Sequence, residues 1–155
     1  MNVTVVHVGD LKEKYYKEAV AEYEKRLGRF CRVKNVQIKE EKLPDDPSAS
    51  EIAAALSAEG KRILEALPER SYAIALCVEG KQLSSEELAA VIADAARDIT
   101  FVIGSSHGLA DSVKKACDLR LSVSKMTFPH RLMRVILAEQ IYRAFSINAG
   151  SSYHK

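Results

Sequence analysis

The residues best suited to acid–base chemistry and anion binding lie late in the chain, within residues 121–155. Two of the four histidines, His130 and His154, fall here together with five cationic side chains. An imidazole exchanges protons near neutral pH, and a guanidinium group binds phosphates and developing oxyanions. Terminal residues usually fray, so the clustering of Tyr153, His154 and Lys155 indicates a functional surface in the tail.

Charge is distributed unevenly along the sequence. Residues 1–103 carry 15 Lys and Arg against 18 Asp and Glu, a net charge of −3, whereas residues 104–155 carry 8 against 3, a net charge of +5. A basic C-terminal third on a chain of net charge +2 fits a polyanionic partner such as RNA. Chance clustering explains the asymmetry equally well.

The segment Gly104–Gly108, with the sequence GSSHG, permits three interpretations. Small residues after a strand let a ligand hydrogen-bond to the backbone, or the two glycines simply form a tight turn. The segment also matches G-x-S-x-G, the motif of α/β-hydrolases, with Ser106 as nucleophile. Asp118 with His130 or His154 would then complete a triad, although the chain is short for that fold and no helix pattern begins directly after the serine.

Several other kinds of site are not indicated. The chain has neither a GxGxxG nor a Walker A motif, and its histidines and cysteines lack metal-site spacing, so we expect no metal. No apolar run approaches the roughly 20 residues that span a bilayer, and the first residues do not resemble a signal peptide. The three cysteines lack a CxxC pair, which favours free thiols in a cytoplasmic protein.

Apolar periodicity predicts how the elements position these residues. Strand-like and helix-like patterns alternate five times, which predicts an α/β fold, with a mostly parallel sheet covered by helices on both faces, in one domain of residues 1–155. Strands are predicted over 3–8, 32–38, 71–78, 99–103 and 119–123, and helices over 12–27, 51–67, 84–97, 110–117 and 129–145.

Ligands of such sheets bind beyond the carboxyl ends of the strands, where loops 77–83, 104–109 and 123–129 are expected to meet. Residues 79–81 are predicted to turn the chain, and residues 32–38 alternate as in a half-exposed edge strand. Helix starts are predicted at Ser50 and at Ser84, which forms a capping box with Glu87.

The segment Ser122–Pro129 and the following helix combine polar loop residues with an apolar stripe. Backbone groups of the loop suit an adenine-like edge, with Met126 and Phe128 as apolar walls, while Thr127 could also cap the helix. Met133, Leu137, Ile141 and Phe145 recur at four-residue steps, typical of core or dimer packing. Glu139 and Arg143 are neighbours on this helix, either as a surface ion pair or with Glu139 aiming Arg143 at a phosphate.

Together these segments resemble the RlmH family of ribosomal RNA large-subunit methyltransferases, within the SPOUT superfamily. The resemblance spans the whole chain, and its most specific parts are the segment from Met126 to His130 and the YHK end. It rests on Leu76 with Gly80–Lys81, Phe101–Gly104 with Gly108–Leu109, Leu121–His130, Arg134 with Glu139–Phe145, and Tyr153–Lys155.

The resemblance implies a deep trefoil knot at the C-terminal end, a homodimer and S-adenosyl-L-methionine as cofactor. It implies methylation of N3 of a pseudouridine in 23S ribosomal RNA at the subunit interface of the assembled ribosome. A ribosome- or RNA-binding module without turnover remains the alternative. The implied cofactor residues are Leu76, Gly104, Val123, Ser124, Lys125, Met126, Thr127 and Phe128.

Two positions depart from the family pattern. Ser105 stands where the family usually has a second glycine, and Cys77 where it often has aspartate. Ser105 would strain the backbone or shift the cofactor if the position requires a glycine, and Cys77 leaves no carboxylate there to orient the cofactor.

Catalytic roles follow as a hypothesis from the needs of methyl transfer. The acceptor N3–H must lose its proton, so His154 is the candidate base, and Tyr153 stacks on or hydrogen-bonds to the target. Arg143 and Arg134 would hold phosphate or the uracil oxyanion, and His130 could take either role. Lys155 and Lys125 would follow the RNA backbone. Because the tail is short, we expect it to complete a site across a dimer.

Overall fold

The computed structural model describes residues 1–155, in which five strands alternate with five helices along the chain. The predicted element order is confirmed, with most boundaries shifted by one to three residues. The elements are β1 Asn2–Val8, α1 Lys14–Leu27, β2 Arg32–Ile38, α2 Ala49–Ala66, β3 Tyr72–Gln82, α3 Ser85–Ala95, β4 Ile99–Ile103, α4 Asp111–Ala116, β5 Leu119–Ser122 and α5 His130–Asn148.

The strands form one sheet in the order β2-β1-β4-β3-β5, and every neighbouring pair is parallel. The predicted parallel sheet is therefore confirmed, and β2 lies at its edge as its alternating pattern indicated. Central strand β4 is buried along its full length, from Ile99 to Ile103. The carboxyl ends of β4, β3 and β5 consequently meet along one side of the sheet.

Helices cover both faces of the sheet. On one face, buried residues of α1, α3 and α5 join a cluster of 18 side chains that includes Leu27, Ile92 and Ile141. On the other face, α2 and α4 contribute Ile63 and Val113 to a cluster of eight. No helix combines the length and apolar character required to cross a membrane.

The prediction that residues 79–81 turn the chain was wrong. They belong to β3, which continues to Gln82 because β5 pairs with it twice: Leu121 is the register partner of both Leu76 and Lys81. The intervening residues form a bulge against β5. A Cβ on Gly80 would lie 2.6 Å from the backbone carbon of Leu121, so this glycine permits close approach of two strands.

Helix starts also depart in detail from the predictions. Helix α2 is capped by Ser48, not Ser50, since Ser48 and Glu51 form a reciprocal capping box. Thr127 does not cap α5, whose N-cap is Pro129. The predicted box of Ser84 and Glu87 at α3 is confirmed.

Candidate active site

A cavity of about 720 Å³ lies beyond the carboxyl ends of β3, β4 and β5. All three segments predicted as loops contribute to its wall, although the first belongs to β3 and contributes only residues 77–79. Lys125 is exposed and lies outside the wall. The remaining predicted cofactor residues do line it: Leu76, Gly104, Val123, Ser124, Met126, Thr127 and Phe128.

Gly104 lies at the narrowest part of the loop after β4. A Cβ on this residue would stand 2.2 Å from the carbonyl oxygen of Gly108, so no side chain fits without displacing backbone. Gly108 itself has φ of +89°, a conformation that strains other residues. The backbone geometry therefore requires both glycines. They form a tight turn, and the same turn leaves backbone groups open to a ligand, so the turn and ligand-loop interpretations are compatible.

The rim of the cavity is unusually apolar for a surface. Val78 and Met126 are 64% and 73% exposed, and Val123 is also exposed. Large apolar side chains that share one cavity mark a ligand or partner site. The loop that carries Val123 and Met126 is shaped by its own serines: the Ser122 hydroxyl donates to Ser124 O at 3.0 Å, and the Met126 amide donates to Ser124 Oγ at 3.0 Å.

The two departures from the family pattern both lie in the cavity wall. Ser105 is buried with ordinary negative φ and pairs with Gly108 through a single β-bridge, so its side chain adds no backbone strain. Cys77 is half-buried, and burial raises the pKa of its thiol, so the thiol stays protonated at neutral pH. Neither residue obstructs the cavity.

His130 and Arg134 lie on the first turns of α5 but in different surroundings. His130 lines the cavity, and burial lowers its pKa, which favours neutral imidazole. Arg134 is half-buried away from the cavity. Burial of the His7 imidazole and, second to it, the nearby charge of Arg134 lower the pKa of His7. Arg134 is therefore not positioned beside the cavity within one chain.

The C-terminal tail folds back onto α5 through a connected polar network. Glu139 Oε1 accepts hydrogen bonds from Arg143 Nη2 at 2.6 Å, from Arg143 Nε at 3.0 Å and from the Tyr153 hydroxyl at 3.1 Å. Arg143 also lies over the Tyr153 ring, 4.8 Å from its centroid. Burial and the Glu139 carboxylate raise the pKa of Tyr153 to about 12, so this phenol remains protonated.

His154 completes the network and contacts a residue that sequence reasoning missed. Its Nδ1 lies 3.2 Å from Arg143 Nη1, and its Nε2 lies 2.7 Å from Glu86 Oε1. A guanidinium group can only donate, so Nδ1 accepts and Nε2–H donates to the carboxylate. Glu86 gave no sequence signal beyond its place in the first turn of α3, because its partner lies 68 residues away.

The tail and the cavity are not adjacent within one chain. Met133 lines the cavity, whereas Arg143 holds the tail, and a helix rise of about 1.5 Å per residue separates them by about 15 Å along α5. His154, Tyr153 and Arg143 are thus brought together with each other. Among the predicted catalytic residues, only His130 lies at the cavity.

The hydrolase interpretation does not survive the geometry. Asp118 precedes β5, so it lies at the amino edge of the parallel sheet, opposite Ser106, which follows β4. Its carboxylate is bound by the Ala73 amide at 2.8 Å and by Arg97 Nη2 at 3.3 Å. No triad can form from these residues in this fold.

Comparison with known proteins agrees with the fold. A family model described as predicted SPOUT methyltransferase matches residues 1–154. The chain therefore belongs to the SPOUT methyltransferase family, which confirms the resemblance seen in the motifs.

Similar proteins include two named ribosomal RNA large subunit methyltransferase H. One, from Lactobacillus acidophilus, is 51% identical, and one from Streptococcus thermophilus is 50% identical, with all of both chains covered in each case. Among solved structures, a probable methyltransferase from Bordetella pertussis Tohama I matches with a TM-score of 0.58 at 17% identity, covering 92% of this chain and 93% of that one. This likeness supports the shared fold.

Proposed function

We propose that this protein transfers the methyl group of S-adenosylmethionine to N3 of a pseudouridine in 23S ribosomal RNA. The observation that carries the proposal is the cavity beyond β3, β4 and β5, whose wall contains seven of the eight predicted cofactor residues. The names of relatives about 50% identical over the full length support large-subunit ribosomal RNA as substrate. The knot that the resemblance implies belongs to the same proposal.

The cavity fits such a cofactor on three grounds. Its volume is within the range of small-molecule sites. Gly104 leaves backbone open to close approach, and the exposed side chains of Val78, Val123 and Met126 offer apolar contact. The bound sulfonium would supply an activated methyl group, so the work of the protein is to orient the acceptor and remove its proton.

A homodimer would bring the tail of one chain to the cavity of another. On α5, Leu132, Val135 and Ile136 share one face and remain only partly buried. Two α5 helices that pack antiparallel about this stripe place Arg143 level with the start of the partner helix, where His130 lines the cavity. This arrangement closes the gap of about 15 Å along the helix.

Within that composite site, the network assigns distinct tasks to its members. Glu86 holds the Nε2–H of His154, which leaves Nδ1 as the basic nitrogen. Nδ1 accepts a hydrogen bond from Arg143. The target pseudouridine must therefore displace the guanidinium group from Nδ1 before His154 can remove the N3 proton. Arg143, oriented by Glu139, is then placed to stabilise the uracil oxyanion.

The test is to incubate the protein with methyl-labelled S-adenosylmethionine and ribosomes that lack the modification, and to identify labelled nucleosides by mass spectrometry. Label in 3-methylpseudouridine of large-subunit RNA is the expected result. Label in another nucleoside would refute the proposed acceptor. Absence of label with RNA binding retained would favour a binding module without turnover.

His154→Ala separates the chemical role of the tail from cofactor binding. We expect turnover to fall by roughly 10²–10⁴-fold, the usual contribution of a general base, with little change in S-adenosylhomocysteine affinity. Lys115→Ala is the control and should leave both quantities unchanged, since Lys115 is exposed on α4 and lies outside the cavity wall and the tail network. Equal losses of turnover and of S-adenosylhomocysteine affinity in His154→Ala would contradict the assignment.

A further inference from the structure

The C-terminal end of α1 presents a basic groove that the cofactor cavity and the tail network do not explain. The groove, of about 360 Å³, is lined by Glu22, Lys25, Arg26, Arg29 and Tyr142. The three cationic side chains are all exposed. The cations of the groove belong to the first 103 residues, whose net charge of −3 gave no indication of a basic surface.

The stability of α1 does not account for this cluster. Lys25 and Arg26 lie in the last turn, where cations interact favourably with the helix dipole. Arg29, however, lies beyond the C-cap residue Gly28, outside the helix. It lines the same groove as Lys25 and Arg26, and like charges held on one groove repel one another. Only Arg26 has a carboxylate partner, Glu22 at 2.9 Å, so Lys25 and Arg29 remain unpaired.

Aromatic rings alternate with the cations from this groove to the tail. Arg26 lies 6.0 Å from the centroid of the Tyr142 ring, and Arg29 lies 5.8 Å from that of Phe30. Tyr142 meets Tyr153 edge to face with 4.7 Å between ring centroids. Of these rings Tyr142 is buried, whereas Phe30 and Tyr153 are partly exposed. Partly exposed rings beside basic side chains characterise surfaces that bind single-stranded or looped RNA.

We infer that the groove formed by Lys25, Arg26 and Arg29 binds phosphates of the substrate RNA as the strand approaches the tail. The inference rests on the proposed function for the identity of the RNA and extends the binding surface beyond the C-terminal third. The buried ring of Tyr142 lies beneath the groove and contacts Tyr153, so the groove and the tail are neighbours on the surface. A strand whose target base reaches the tail would therefore lie close to these cations. Contacts of this kind are independent of base sequence and weaken as salt rises.

The experiment compares two double variants of the same helix. Lys25→Gln with Arg29→Gln removes the unpaired charges of the groove, and Lys14→Gln with Lys17→Gln removes two exposed charges at the other end of α1. Affinity for protein-free 23S ribosomal RNA and for intact ribosomes is measured across a salt series. S-adenosylhomocysteine affinity serves as the check that each variant is folded.

The groove variant is expected to bind RNA roughly tenfold more weakly at about 0.1 M salt. The slope of log affinity against log salt is negative, and it should become less steep by about 1.5. The control should keep the wild-type slope. Equal slopes in both variants would overturn the inference. A loss of affinity for intact ribosomes alone would also overturn it, because that result would mean that the groove binds a ribosomal protein. A reduced slope in a protein whose wild type transfers no methyl group would retain the groove and refute the proposed function instead.

Discussion

At the scale of single residues, Glu59 is the most unusual side chain of the molecule. It is the only buried carboxylate, with 3% of its surface exposed. Its Oε2 accepts from the Glu41 amide at 2.9 Å, and its Oε1 has no partner. Burial raises the pKa of Glu59, while the Glu41 amide and the Ser105 hydroxyl act in the opposite sense. Glu59 therefore joins α2 to the loop that follows β2.

The raised pKa of Glu59 predicts a pH-dependent stability. The folded state holds this proton more tightly than the unfolded chain, so its contribution is full below the ordinary pKa of 4.5 and is lost as pH rises through the higher folded value. Glu59→Gln should remove this loss. Urea unfolding of both proteins from about pH 5 to about pH 8 should show a steeper decline for the wild type, by at most about 1.4 kcal/mol per pH unit. Parallel curves would contradict the prediction.

At the scale of elements, α5 divides into two halves with different environments. Its second half is buried through Leu137, Ile141 and Phe145, as the apolar stripe predicted. Its first half borders the cavity and keeps Val135 and Ile136 partly exposed. Contacts from α3 fix the second half, where Ser85 Oγ donates to Gln140 at 2.7 Å. One helix thus joins the core, the cavity and the proposed dimer surface.

Charged substitutions on the first half of α5 test the dimer surface. Val135→Glu with Ile136→Glu should convert a dimer to a monomer, because two copies would bury unpaired carboxylates at their contact. The measurement is sedimentation equilibrium, and S-adenosylhomocysteine affinity reports on folding. Leu64→Glu, at a partly exposed apolar position of α2, should leave the mass unchanged. A wild-type monomer, or a variant that stays dimeric, would refute this surface.

At the scale of the whole molecule, the separation of tail and cavity has a consequence for mixed dimers. Gly104→Ala should inactivate the cavity, since its Cβ would meet the Gly108 carbonyl at 2.2 Å. His154→Ala should inactivate the tail. If each site combines the cavity of one chain with the tail of the other, a mixed dimer regains one working site.

Equal mixing of the two inactive variants, with exchange of subunits, is therefore expected to restore about a quarter of wild-type methyl transfer, since half of the dimers are mixed and each has one competent site. Methyl transfer to unmodified ribosomes is the readout. No recovery, although mixed dimers form, would mean that tail and cavity act within one chain.

Local patterns determined the order of the ten elements, the parallel sheet and the segments that mark the family. Apolar period and capping residues act over a few positions, so they are legible in sequence, as the box of Ser84 and Glu87 illustrates. The family resemblance implied a ligand role for the loop 123–128 because its residues form one continuous motif, and most of them line the cavity.

Only the tertiary structure decided which distant residues meet. The second pairing of β5 extended β3 through a predicted turn, and Glu86 reached His154 from 68 residues away. Arg26 and Tyr142 likewise come together from opposite ends of the chain to form the basic groove. Such contacts depend on how the helices pack on the sheet. Because the hydrophobic effect that drives this packing is non-directional, it leaves no local pattern in the sequence.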